Sequence, residues 1–239
     1  MEAKNDRQPI RILPLGDSIT YDNDFGDIEN PRPVGDRVAY RFPLYRMLKQ
    51  AGHCFIFVGN RRAGYNYFTE ANNGGFPGCT AKELCHLLKT GYNQHEGKYE
   101  VNGPYLEKFK PDIILLHIGT NKINTTTTDD INNILNEIKK FRKSKKGNPV
   151  TTFLARIING NPYNPVITEF NNSVDKMVEQ RVKLGDNIIR VDMENILDYT
   201  RDMADMVHPN PSGYEKMAKQ WFQAIDEWIK LETQTITTN

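Results

Sequence analysis

No stretch of the 239-residue chain approaches the ~18 consecutive apolar residues that a membrane-crossing helix needs. Neither sign of charge dominates: 31 Lys and Arg face 30 Asp and Glu, a formal net charge of +1. No block of like charge is long enough to make a nucleic-acid or anionic-membrane surface, so neither partner is expected. The one basic cluster, Lys139 to Lys146, reads as the end of a helix, where cations complement the dipole. Three cysteines, Cys54, Cys79 and Cys85, cannot all pair with one another; they exclude a disulfide framework while leaving a Cys79 to Cys85 bridge open. The motif H-E-x-x-H is absent, and Cys79, Cys85 and His86 lack paired C-x-x-C spacing, so no metal and no other cofactor is expected. Neither G-x-G-x-x-G nor a P-loop follows the first apolar run, which disfavours a nucleotide fold. Met1 to Pro9 is polar and lacks the apolar segment of a signal peptide. That start suits a cytoplasmic protein, and equally a secreted one whose signal peptide is not part of this sequence, so the compartment stays open.

What the chain does contain is a repeated alternation. Short β-rich apolar runs occur at Ile10 to Leu15, Cys54 to Val58, Ile113 to Ile118, Thr152 to Ile158 and Ile188 to Val191. Their near-continuous apolarity predicts strands covered on both faces, as in a parallel sheet. Helical spacing marks the segments between and after them. Tyr40 to Ala51 stops at Gly52; Thr80 to Lys89 opens on a Thr cap with Glu83 three residues on; Asp129 to Arg142, Phe170 to Val182 and Tyr214 to Ile229 repeat apolar residues every three or four positions. The β-α unit recurs about five times with no linker, composition shift or internal repeat, which predicts one doubly wound domain over 1–239 with its core at about 10–230. Tyr21 to Val38 and Gly59 to Phe76 lack periodicity and follow strand ends, where open α/β folds bind ligands, so they are expected to wall the site.

Four features carry chemistry. The first strand runs into Gly16-Asp17-Ser18-Ile19-Thr20, which puts a hydroxyl where the chain leaves the sheet and its own N–H beside any oxyanion that forms. On position alone, a helix-cap or turn serine is the better reading. Near the C-terminus, Asp205-Met206-Val207-His208 spaces a carboxylate and an imidazole so that Asp205 can accept from Nδ1 and leave Nε2 for a hydroxyl; Pro209 and Pro211 keep the final helix from absorbing His208. Alone, that pair is weak evidence. Gly119-Thr120-Asn121 ends the most apolar strand and offers a neutral amide donor. Gly74-Gly75-Phe76-Pro77-Gly78 precedes the Thr80 helix and offers a backbone donor, with Gly78 preferred to Gly75 because it adjoins the helix N-terminus. His117, inside the apolar strand, reads as a core histidine. Gly-x-Ser-x-Gly does not occur, which argues against the α/β-hydrolase fold.

Taken in order, Gly-Asp-Ser, the glycine before a helix, Gly-Thr-Asn and Asp-x-x-His resemble the SGNH (GDSL-type) hydrolases over nearly the whole chain. The resemblance implies a three-layer α/β/α sandwich with a flavodoxin-like parallel sheet of about five strands, and a serine hydrolase that needs no metal. It also implies Ser18 as nucleophile, His208 as base, Asp205 as its orienting partner, and an oxyanion hole from the Ser18 N–H, Gly78 and Asn121. Phe57-Val58-Gly59, Gly75-Phe76-Pro77-Gly78, Pro111-Asp112-Ile113-Ile114 and His208-Pro209-Asn210 with Gly213-Tyr214 look most like carbohydrate esterase family three, the acetyl xylan esterases. Many relatives carry Asp after Gly-Thr-Asn, where this chain has Lys122, which makes that rim more positive. The expectation is an esterase acting on short-chain esters, O-acetyl groups on carbohydrate above all, with a small-molecule or polysaccharide ester as partner. A lipase, lysophospholipase or thioesterase on the same triad ranks second, and a non-catalytic carbohydrate-binding module third. Substrate-contacting residues and oligomeric state are not legible in the sequence.

Overall fold

The structure, a computed structural model, describes residues 8–237. Its elements begin with β1 (Ile10–Gly16), α1 (Ser18–Tyr21), α2 (Gly26–Glu29), a 3-10 turn at Val34–Asp36, α3 (Arg41–Gln50), β2 (Phe55–Phe57), β3 (Arg61–Arg62) and β4 (Asn72–Gly75). There follow α4 (Ala81–Thr90), β5 (Tyr92–Asn93), β6 (Lys98–Tyr99), α5 (Tyr105–Phe109) and β7 (Ile113–His117). The chain ends with α6 (Thr128–Lys143), β8 (Thr151–Arg156), α7 (Pro165–Lys183), β9 (Ile188–Asp192) and α8 (Pro211–Thr237).

The five expected strands are β2, β1, β7, β8 and β9, side by side and parallel. All five residues of β7 are buried, as its unbroken Ile-Ile-Leu-Leu run requires of a strand covered on both faces. On one face, Ile12, Ile113, Leu115 and Phe153 meet Leu44 and Leu48 of α3 and Met217, Trp221 and Ile225 of α8. On the other, Leu13, Leu15, Ile114 and Leu116 meet Leu84 and Leu87 of α4, Ile134 of α6 and Val174 of α7. The result is the expected α/β/α sandwich with a mostly parallel central sheet.

Two further strands of the central sheet escape the sequence. Gly59 to Phe76 is not simply a loop: β3 and β4 form an antiparallel pair, and β4 joins β1 in parallel with Leu15 opposite Gly74 and Gly16 opposite Gly75. Asn-Asn-Gly-Gly has no β preference of its own; the sheet imposes the conformation, because β2 ends opposite Ile12 and leaves the second half of β1 unpaired on the edge away from β7. Pro14, which has no N–H to donate, falls at the break between these two partners. Glycine at 75 is needed for approach, since a Cβ there would lie 2.7 Å from the Tyr21 backbone nitrogen. The β5–β6 hairpin, and α7 starting at Pro165 instead of Phe170, were also hidden from apolar spacing. The Asn164 side chain caps the Val166 N–H and Pro165 sits in the first turn, so polar cap chemistry extends α7 backwards. Cys79 and Cys85 are buried thiols, not a bridge. Among the described residues no helix is long and apolar enough to cross a membrane.

Candidate active site

Parallel pairing brings the carboxyl ends of β1, β4 and β7 to one edge of the sheet, so the segments leaving Gly16, Gly75 and His117 start as neighbours. The Phe76 N–H donates to the Gly16 carbonyl at 2.9 Å, tying two of these exits together. Asp17, not Ser18, caps α1: its Oδ1 accepts from the Ile19 N–H at 3.0 Å. Ser18 therefore holds the first helical position and its hydroxyl is left for another partner. That partner is His208, whose Nε2 lies 2.9 Å from the nearly buried Ser18 Oγ across 190 residues of chain.

His208 Nδ1 stands 2.9 Å from Asp205 Oδ2 and 3.0 Å from Oδ1. An ionised carboxylate only accepts, so the proton is on Nδ1 and the Nε2 lone pair faces the serine O–H. The spacing of three residues does not make a helical turn here. Asp205 Oδ1 accepts from the Val207 N–H at 2.7 Å and the His208 N–H at 2.8 Å, a side-chain-closed turn that swings the imidazole back over its own carboxylate. Burial alone would raise the Asp205 carboxyl, but backbone N–H groups of Phe25, Val207 and His208 and the His208 ring hold it below its ordinary value. A hydroxyl, a neutral imidazole and a fixed carboxylate in this order can move a proton from the hydroxyl as its oxygen attacks a carbonyl.

The expected donors lie at the same edge. The Gly75 N–H is occupied by the Asn73 side chain at 2.9 Å, whereas the N–H groups of Gly78 and Ser18 have no acceptor among the described residues. Gly78 has φ +77°, a left-handed conformation, and a side chain there would collide with the His95 imidazole. One Asn121 amide hydrogen goes to the Cys79 carbonyl at 3.0 Å, which orients the amide beside the Gly78 segment and leaves its second hydrogen available. Lys122 follows in a left-handed conformation at φ 54°.

Several neighbours were not legible in the sequence. Asp17 is completely buried and its Oδ2 has no hydrogen-bond partner among the described residues; burial pushes its carboxyl up to about 7, against the Ile19 N–H, which lowers it. The N–H of Phe25 donates to Asp205 Oδ2 at 2.9 Å, and its ring meets the His208 ring edge-on at 5.1 Å and 86°. His95, at the tip of the β5–β6 hairpin, packs on Gly78. Asp17 lies inside the Gly-Asp-Ser motif, which does not reveal its burial, and Phe25 and His95 belong to no motif. His117 is a core histidine: Nε2 accepts from the Ile158 N–H at 3.2 Å, and burial pushes its pKa down to about 4, so the ring is neutral. Among the described residues no group of three or more His, Cys, Asp or Glu could hold a metal ion; the Cys79 thiol points instead to the Thr80 carbonyl at 3.4 Å.

Residues 12–221 match the family described as GDSL-like Lipase/Acylhydrolase. A multidomain esterase of Ruminococcus flavefaciens is 30% identical over 238 aligned residues, which are 92% of this chain and 29% of that protein. The chain thus spans less than a third of that relative's length. A family 3 carbohydrate esterase of Clostridium thermocellum superimposes with a TM-score of 0.69 at 24% identity, over 94% of this chain and 99% of that one. A carbohydrate esterase family 3 structure from Talaromyces cellulolyticus does so with a TM-score of 0.69 at 21% identity, over 92% and 98%. At these identities the likeness is one of fold.

Proposed function

This chain belongs to the GDSL-like lipase/acylhydrolase family, and we propose that it is a carboxylic-ester hydrolase that removes short acyl groups, acetyl first among them, from carbohydrate through an acyl-enzyme on Ser18. His208 takes the Ser18 proton as Oγ attacks the ester carbonyl. The resulting oxyanion is held by the Ser18 N–H, the Gly78 N–H and the second Asn121 amide hydrogen. His208 returns the proton to the departing alcohol. Water, activated by the same imidazole, then attacks the acyl group and frees Ser18. Asp205 keeps Nδ1 protonated throughout and stabilises the transient imidazolium.

The observation that carries this reading is the continuous chain from Ser18 Oγ to His208 Nε2 and from Nδ1 to Asp205, with hydrogen-bond donors left unused on the adjoining turns. The substrate class rests on the surroundings. Beyond Gly78 and Asn121 along the chain, Thr80 and Lys122 border a polar concavity of about 370 Å³ with Lys82, Glu83, Gln94 and Asp130; Ser18 and His208 are not among its walls, so it bears on the alcohol side of a substrate and not on the acyl group. Such a lining offers hydrogen bonds to a hydroxylated alcohol and little to a long acyl chain. The likeness to family 3 carbohydrate esterases points the same way. A chain-length series of p-nitrophenyl esters from acetyl to octanoyl, followed by acetate release from acetylated xylan, tests it. Acetyl should give the highest kcat/KM and Ser18→Ala should abolish turnover; a preference for octanoyl would favour a lipase instead.

A further inference from the structure

The segment Tyr21 to Val38 carries Asp22, Asp24 and Asp27, yet these acids do not face solvent as a negative wall. Arg32 bonds Asp22 at 3.1 Å, Asp24 at 2.9 Å and Asp27 at 2.7 Å. The Asp24 N–H donates to Asp27 Oδ2 at 3.1 Å and the Asp27 N–H to Asp24 Oδ1 at 3.2 Å, closing the four-residue turn that presents Phe25. The buried Arg37 guanidinium adds bonds to Asp27 Oδ2, the Asp22 carbonyl and Asn23 Oδ1. Asp22 Oδ2 in turn accepts from the Val38 and Ala39 N–H groups, which fastens the segment to the start of α3. The Asp22 and Asn23 N–H groups bond the Ser18 carbonyl at 2.8 and 3.1 Å, and Phe25 reaches the other two members of the triad, through its N–H on Asp205 and its ring on His208.

We propose that this knot is the positioning element of the Asp205–His208 pair, with Arg32 as its clamp and the Phe25 N–H as its point of action. Asp205 has two oxygens to orient. Its own turn holds Oδ1 through Val207 and His208, so Phe25 supplies the only backbone donor to Oδ2 among the described residues, and that is the oxygen nearest Nδ1. Without it Oδ2 keeps only the imidazole as a partner, and the carboxylate is held by backbone donors on Oδ1 alone, which loosens the plane that orients Nδ1. Phe25 and Arg32 touch no reacting atom; they act through Asp205. The inference rests on the esterase reading above.

The Phe25 φ of −68° is the value a proline ring imposes, so Phe25→Pro removes the N–H while suiting that backbone, and Phe25→Ala removes the ring but keeps the N–H. With p-nitrophenyl acetate, kcat of Phe25→Pro should fall about tenfold or more below that of Phe25→Ala, at nearly unchanged KM, as expected for loss of a hydrogen bond to a charged group. Arg32→Gln should lower kcat in the same pattern and Arg32→Lys should restore part of it, thermal melts showing each variant folded. Equal kcat for the Pro and Ala variants, or folded Arg32→Gln with wild-type kcat, overturns the assignment. Should Ser18→Ala retain activity, it is instead the esterase reading that fails.

Discussion

Replacing Asp17 by asparagine should stabilise the protein at alkaline pH and bring no gain in acid. Asp17 is fully buried, and burial pushes its carboxyl up from 3.8 to about 7. Below 3.8 it is protonated in both folded and unfolded chains and contributes no pH dependence. As pH rises from 3.8 to about 7 the unfolded chain sheds the proton and the folded one retains it, so stability falls across that window and stays low above it. A rise of that size corresponds to about 4 kcal/mol, of which about 3 kcal/mol is lost between pH 5 and pH 9. Asparagine caps a helix as well as aspartate, so the bond to the Ile19 N–H survives. Its amide N–H would point where Oδ2 now lacks a partner, at a pH-independent cost of about 1–3 kcal/mol. The test is the difference in melting temperature between Asp17→Asn and wild type at pH 5 and at pH 9, other titrations cancelling in the comparison. That difference should move in the variant's favour by about 6–12 °C for a chain of this size. A difference that is the same at both pH values would show that the Asp17 carboxyl is already ionised at pH 5 in the folded protein, and the argument from its burial would be wrong.

Three further outcomes are expected. Asn121→Ala should lower kcat about 10²- to 10³-fold with little change in KM, read by steady-state hydrolysis of p-nitrophenyl acetate, because the donor acts on charge that exists only in the transition state. Asp205→Asn should cost about 10⁴ in kcat, since the amide can donate to Nδ1 and would leave Nε2 protonated against Ser18; near-normal activity would mean that the backbone suffices to orient His208. Gly75→Ala should destabilise by about 1–3 kcal/mol or more in urea unfolding, because the new methyl meets the Tyr21 backbone, which cannot swing aside as a side chain would.

By itself the sequence determined what is local or periodic. The five parallel strands follow from unbroken apolar runs such as Ile113 to His117, the α4 start from the Thr80 and Glu83 capping box, and the order of chemical residues from short motifs that each sit just past a strand or before a helix. Tertiary structure alone decided the pairings that no spacing encodes. Asn72 to Gly75 is a strand because β1 had a vacant flank. Asp17 became a buried acid because the exit of β1 is walled in on all sides. Phe25, 180 residues before Asp205 in the chain, was brought to its carboxylate by an ion-pair knot whose members read, one by one, as ordinary surface charge. Periodicity records which face of an element avoids water; which distant groups then share a hydrogen bond depends on how the faces stack, and that is settled only when the whole sheet has closed.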